Sequence, residues 1–182
     1  MIQKNKPGWL NRNQRVYKQD RPVIKPEITP VDWLLEGLAL VGLLILLGMT
    51  IYEYPRLPDT IPSHFNAAGL PDDYSSRDSF LFLPGIDLFI YILLTAIVFV
   101  PHKFNFPVII TPENALKQYT MAIRFIRYLK AILIWLFLYI SYSTVRVVAN
   151  AHDGLGLWFM PLFLGAIFIP LIIYVSKSFK NK

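Results

Sequence analysis

The chain has no cysteine. That excludes a disulfide framework, a thiolate metal site and a cysteine nucleophile. It also has no His-Glu-x-x-His pair, no Gly-rich phosphate cradle and no Gly-x-Ser-x-Gly elbow. Those absences remove the common zinc-hydrolase, nucleotide-binding and serine-hydrolase signatures. No internal repeat is visible. Charge is missing from long stretches: residues 37–52, 131–145 and 154–176 carry none, and residues 79–101 carry Asp87 alone.

What fills those stretches is apolar. Of 182 residues, 54% are hydrophobic and 15% aromatic, too apolar for an ordinary soluble domain of this size. A helix crossing the hydrocarbon needs about 20 apolar residues, or about 17 when cations at its ends snorkel. All four runs qualify; the third is shortest, and Lys130 and Arg146 at its ends are expected to reach toward headgroups. About thirty polar residues precede the first run, without a small-residue cleavage site, so it reads as a span and not as a cleavable signal. The expectation is an all-α membrane protein, a four-transmembrane-helix bundle with helices at about 31–54, 79–101, 112–149 and 155–177. A basic tail over 1–28 and a short tail over 178–182 flank the membrane domain, 29–177.

The net charge of +6 is read by position. Residues 1–32 hold seven Lys/Arg against three Asp/Glu, and residues 101–130 hold five against one. Residues 55–78 hold two against four, and residues 146–155 hold Arg146 and Asp153. Basic flanks alternate with poor ones, which predicts that both termini are cytoplasmic. The 55–78 loop then faces outward, beside the short 149–155 turn. The N-terminal arm has no hydrophobic period and reads as a flexible tail, or as an anionic-lipid attachment with Trp9 and Leu10 as anchor. Thr29, Pro30 and Asp32 suit a helix start as cap, first-turn proline and first-turn acid. Thr111-Pro112-Glu113-Asn114 suits a second start. From there Glu113, Lys117, Thr120, Arg124 and Arg127 form one helical face, read either as a basic stripe toward lipid phosphates or as a docking face for a soluble partner.

Asp87 is the costliest residue of the spans. Its expected role is an ion pair with Arg146, for which Glu53 is the alternative acid, all three near the outer face. Pro84-Gly85 could instead open the second helix and leave Asp87 in an exposed first turn. A proton or ion pathway is the third reading.

The 55–78 loop is far longer than a connection needs. Pro55, Pro58, Pro62 and Pro71 stiffen it, and Gly69 supplies a positive-φ position after Asn66. Leu57, Ile61, Phe65, Leu70 and Tyr74 are expected to bury against helix ends. The result is an ordered lid, with His64 and Asn66 tying the turn and Asp59, Asp72, Asp73 and Asp78 facing a ligand. His64 reads either as a structural group bonded to the loop backbone or, with His152 and the aspartates, as part of a cation site. Its spacing matches no metal motif, and no metal, cofactor or catalytic residue is expected.

The loop pattern Leu57-Pro58-x-x-Ile61-Pro62-x-His64-Phe65-Asn66-x-x-Gly69-x-Pro71-Asp72 closely resembles the signature of DUF1648, a bacterial membrane-domain family of unknown function. That domain forms the N-terminal part of SdpI-type toxin-immunity proteins. Thr111, Pro112, Glu113 and Asn114 resemble its second motif, and the resemblance covers roughly residues 33 to 175. It implies a multi-pass protein of the bacterial plasma membrane. Its expected partners are membrane lipid and an extracellular cationic peptide or another membrane protein, with no nucleic acid. Three functions follow as expectations: non-enzymatic protection against, or sensing of, an extracellular peptide or toxin; an accessory subunit of a larger membrane complex or transporter; and an ion-binding protein using His64.

Overall fold

The computed structural model describes residues 21–151 and 153–182. Trp9, Leu10 and His152 therefore lie outside the described residues, as does most of the expected tail.

Four helices among the described residues are long and apolar enough to cross a membrane. These spans are Pro30–Arg56, Arg77–Ile97, Ala115–Val148 and Phe159–Lys180. Their α-helical parts are α1 (Pro30–Glu53), α2 (Phe82–Ile97), α3 (Ala115–Val148) and α4 (Phe159–Lys180), and 3-10 turns complete the first two. Between α1 and α2 the chain forms an antiparallel hairpin, β1 (Thr60–Phe65) and β2 (Pro71–Ser76). The hairpin leads into α2 through a 3-10 turn, Arg77–Leu81.

Each helix start has a local cause. At α1 the Thr29 backbone N–H donates to Asp32 Oδ2 at 2.9 Å, and the Thr29 hydroxyl donates to the same oxygen at 2.6 Å. Pro30 takes the first position, where no N–H is needed. The 111–114 motif folds as a turn ahead of α3, which begins at Ala115 and not at about 112. The reason is Asn114: its side-chain oxygen accepts from the Thr111 N–H at 2.9 Å, and its amide donates to the Ile109 carbonyl at 3.0 Å. From there α3 runs 34 residues, about 51 Å at the helical rise. The helix α4 begins at Phe159 and not at about 155, because the chain turns through Gly154 and Gly156 ahead of it, and it continues to Lys180, past the boundary expected at 177.

The helices α1, α2 and α3 pack as the core, and α4 packs mainly on α3. Lipid tails are as apolar as leucine, so close approach and polar ties decide helix packing. Ala39 and Leu43 of α1 meet Ala131 and Ile134 of α3, with Tyr91 of α2 against them. A methyl group on Gly42 would stand 2.9 Å from Ile134 Cγ2, so the two backbones cross where a side chain is missing. Stacked rings join α4 to α3 at Phe125–Tyr174 and Tyr139–Phe159.

The end of the bundle remote from the hairpin is closed by chain that is irregular apart from a 3-10 turn, Pro101–Lys103. Ile110, Ala115 and Tyr119 form a buried cluster with Ile24, Phe106 and Val108. The Arg21 guanidinium donates to the Phe104 carbonyl at 2.6 Å and lies over the Phe106 ring. Gln118 donates to the Ser178 and Asn181 carbonyls and accepts from the Ser178 hydroxyl, which fastens the end of α4 to the start of α3.

Candidate functional site

The residues of the 55–78 loop are polar and proline-rich, yet they pair. Pro62 interrupts β1, and the register shifts on either side of His64 absorb it, as prolines inside sheets require. In the turn the Gly69 N–H donates to the Asn66 carbonyl at 2.8 Å. The Asn66 side-chain oxygen accepts from Ala68 N–H at 2.9 Å and Leu70 N–H at 3.2 Å. Gly69 takes φ +78°, a conformation that favours glycine.

Three attachments hold the hairpin. At its base, Leu57, Ile61 and Phe80 are buried together, with Met49, Tyr54, Val145 and Val148 around them. Across its strands, His64 Nδ1 and Asp72 Oδ1 are 2.6 Å apart. At its tip, the Leu155 N–H donates to the Gly69 carbonyl at 2.7 Å. A methyl on Gly154 would lie 2.0 Å from that same oxygen, and one on Gly69 would lie 2.8 Å from the Gly156 carbonyl. The hairpin turn thus rests on the loop before α4, backbone against backbone.

Beneath β1 is a cavity of about 390 Å³, walled by the hairpin and by the ends of α2, α3 and α4. Ile61, Phe65, Phe80, Leu83 and Phe159 make it mostly apolar, with Thr144 among its polar groups. Outside it stand the four aspartates. Asp59, Asp72, Asp73 and Asp78 are all exposed. Two have partners: Asp72 holds His64, and Asp78 accepts from the Tyr54 hydroxyl at 2.6 Å.

Several expectations are corrected. His64 bonds a carboxylate of the opposite strand, not the loop backbone. Leu70 and Tyr74 are exposed; the tip touches the next loop through backbone, so these side chains have no helix end to cover. Among the described residues no group of three His, Asp or Glu could hold a metal ion, and His152 of the alternative cation-site reading lies outside them.

Arg146 forms no ion pair with Asp87 or Glu53 among the described residues; its guanidinium lies over the Tyr142 ring at 6.0 Å. Its neighbours Val145 and Val148 pack around Phe80, which sets it at the level of residue 80, about 10 Å along the helix from Asp87. Nor does Pro84-Gly85 open the helix: α2 begins at Phe82 and passes through, leaving Asp87 with no exposed surface.

The buried charges that do pair lie at the other end. Asp32 and Glu36 of α1 face Arg124, Arg127 and Lys130 of α3. Arg124 Nε and an Arg127 terminal nitrogen reach Asp32 Oδ1 at 3.3 and 3.2 Å. Arg127 Nε reaches Glu36 Oε1 at 3.1 Å, and Lys130 Nζ reaches Glu36 Oε2 at 2.5 Å. Lys130 also donates to the Thr95 hydroxyl at 2.8 Å and lies over the Tyr91 ring. So Lys130 is fully enclosed and does not snorkel, and Arg124 and Arg127 turn toward α1 and not toward phosphates. Of the rest of that stripe, Glu113 and Lys117 stay exposed, and Thr120 is half-buried with its hydroxyl donating to the Leu116 carbonyl at 2.7 Å. The Glu113 carboxyl is held below its usual range by the Thr111 hydroxyl and then by its own backbone N–H. The spacing of Asp32 and Glu36, one turn apart, and of Arg124, Arg127 and Lys130, three apart, was the available signal for this ladder.

Residues 41–87 match the model of the family described as a domain of unknown function, DUF1648. The match runs from the middle of α1 through the hairpin and ends on Asp87. A protein of Archaeoglobus fulgidus, described as uncharacterized, is 33% identical over 72 residues. That alignment takes in 40% of this chain and 37% of the archaeal protein, so the chain spans little more than a third of that relative's length. No solved structure matches the chain.

Proposed function

We propose that this chain is a non-enzymatic, multi-pass protein of the bacterial plasma membrane that protects against, or senses, an extracellular cationic peptide. The supporting observation is the hairpin. It is fastened at base, middle and tip, it stands over an apolar cavity of about 390 Å³, and it presents four exposed aspartates. An acidic rim beside an apolar recess is complementary to a cationic, amphipathic ligand. The charge alternation along the sequence supports an outward hairpin and cytoplasmic termini. Deleting the gene and challenging cells with cationic peptides tests the reading. Greater sensitivity, restored by the intact gene, is the expected result; unchanged sensitivity across the panel counts against it.

A second reading rests on α4. No residue in the most apolar part of this helix is buried within the chain. A cleft of about 490 Å³ between α3 and α4 is lined by Trp135, Tyr139, Trp158 and Leu162. Such a face suits a transmembrane helix of a partner, as in an accessory subunit of a larger complex. A native pull-down in mild detergent tests it; a stoichiometric partner lost on altering Trp158 and Leu162 would favour this reading over the first.

A further inference from the structure

Among the described residues, the packed helices enclose an acid without a balancing partner, Asp87. Asp87 has no exposed surface, and neither of its carboxyl oxygens has a hydrogen-bond partner among the described residues. Asp32 is buried almost as fully and shows the contrast: it takes two arginines and Thr29. The chain thus supplies cations to one buried aspartate and withholds them from the other.

The level of Asp87 in the bundle follows from contacts on either side. Thr95 of α2 meets Lys130 of α3, while Leu83 lines the hairpin cavity with Ile140 and Thr144. The two helices are therefore antiparallel, and Leu138 and Ser141 stand at the level of Asp87. Both are buried, and the Ser141 hydroxyl also has no partner among the described residues. On α1 the same level, between Glu36 and Met49, is that of the buried Leu43 and Leu46.

The charged groups of the surrounding elements lie elsewhere. Toward the far end, Glu36, Arg127 and Lys130 satisfy one another. Toward the hairpin, Glu53, Arg77 and Arg146 form no ion pair with Asp87. On its own helix, one turn away, the Tyr91 ring lies under the Lys130 ammonium. An ionised carboxylate without donors is far costlier in such surroundings than a neutral acid, which need satisfy only one O–H. Two helices repeat the same geometry. Asp87 lies one turn below Leu83 of the cavity lining, and Ser141 lies one turn below Thr144.

We propose that Asp87 is a proton-binding site at the foot of the hairpin cavity, occupied as the neutral acid in the resting protein. This inference is independent of peptide recognition.

An apolar carbodiimide provides the test. A protonated carboxyl adds across its C=N bond, and the acyl group then shifts to nitrogen; no atom leaves, so the whole reagent mass stays on the residue. The probe is dicyclohexylcarbodiimide on the purified full chain in neutral detergent, with the adduct mapped by peptide mass. The expected result is an adduct on Asp87 that falls about tenfold per pH unit once the acid titrates, and that Asp87→Asn abolishes. The same variant should fold as the wild type does, since a neutral amide replaces a neutral acid. The infrared carboxylic-acid carbonyl band at neutral pH is the second measurement, present in the wild type and absent from Asp87→Asn. Adducts confined to the hairpin aspartates, with Asp87 unlabelled at every pH, would overturn the proposal. So would superimposable infrared bands for the two proteins. If Asp87→Asn does not accumulate, the wild-type adduct map alone decides in the same way.

Discussion

The backbone N–H of Leu155 donates a 2.7 Å hydrogen bond to the carbonyl oxygen of Gly69, and this bond ties the hairpin turn to the loop that opens α4. It requires the two backbone segments to touch without side chains between them. A methyl on Gly154 would sit 2.0 Å from the Gly69 oxygen, closer than any real contact.

Gly154→Ala should therefore lift the hairpin tip. Overpacking of this kind costs about 1–3 kcal/mol, and here the obstacle is backbone that cannot rotate away. The measurement is thermal unfolding in detergent together with limited proteolysis across residues 66–70. A lower midpoint with faster cleavage in the turn is expected. Gly48→Ala is the control, because nothing lies within 4 Å of its added methyl. It should be neutral or slightly stabilising, as alanine exceeds glycine in helix propensity by about 1 kcal/mol.

The buried ladder predicts a coupling between α1 and α3. Lys130 is fully enclosed and reaches Glu36 at 2.5 Å, so either Glu36→Gln or Lys130→Met leaves a charge short of its partner. Each single change should cost about 3 kcal/mol, the low end for a broken buried pair, because Arg127 and Thr95 remain as secondary partners. The double change should cost less than the sum by about 1–3 kcal/mol in a double-mutant cycle. Additive losses would show that the pair does not act as a unit.

The spans and the existence of a folded loop were legible because hydrocarbon imposes an unambiguous length and because prolines and Gly69 stand at turn positions. The hairpin itself was not. Its strands, Thr60–Phe65 and Pro71–Ser76, contain two prolines and few β-branched residues, so their pairing comes from the Asn66–Gly69 turn and from tertiary support. Gly154 read as part of a short turn and Gly156 as the start of the fourth helix, since a sequence does not say that another loop rests on them. The Arg146–Asp87 pairing failed for a geometric reason: the 3-10 turn over Arg77–Leu81 shifts where α2 begins, and Phe80 holds the Arg146 level away from Asp87. The Asp32–Lys130 ladder was written in the spacing, but its parts read as a cap, a span boundary and a snorkelling cation.

Orientation is tested by single cysteines in this cysteine-free chain. Ala67 in the hairpin turn and Lys117 early in α3 are both exposed, whereas Gln118 is buried against Ser178 and would be a poor probe. An impermeant thiol reagent added to intact cells should label position 67 and spare position 117 until the cells are opened. Labelling of 117 alone would invert the topology.

The proposed function requires the fastened hairpin to offer its carboxylates to a cationic peptide. Asp59 and Asp73 test it most directly, since neither ties the hairpin to another side chain, unlike Asp72 with His64 and Asp78 with Tyr54. The measurement is a binding titration of synthetic cationic amphipathic peptides against the purified chain, wild type and Asp59→Asn with Asp73→Asn, at low and high salt. Weaker binding by the variant is expected, with a gap that narrows as salt screens exposed charge and with an unchanged unfolding midpoint. Equal binding by both proteins at low salt, or no binding by the wild type to any peptide of the panel, would contradict it.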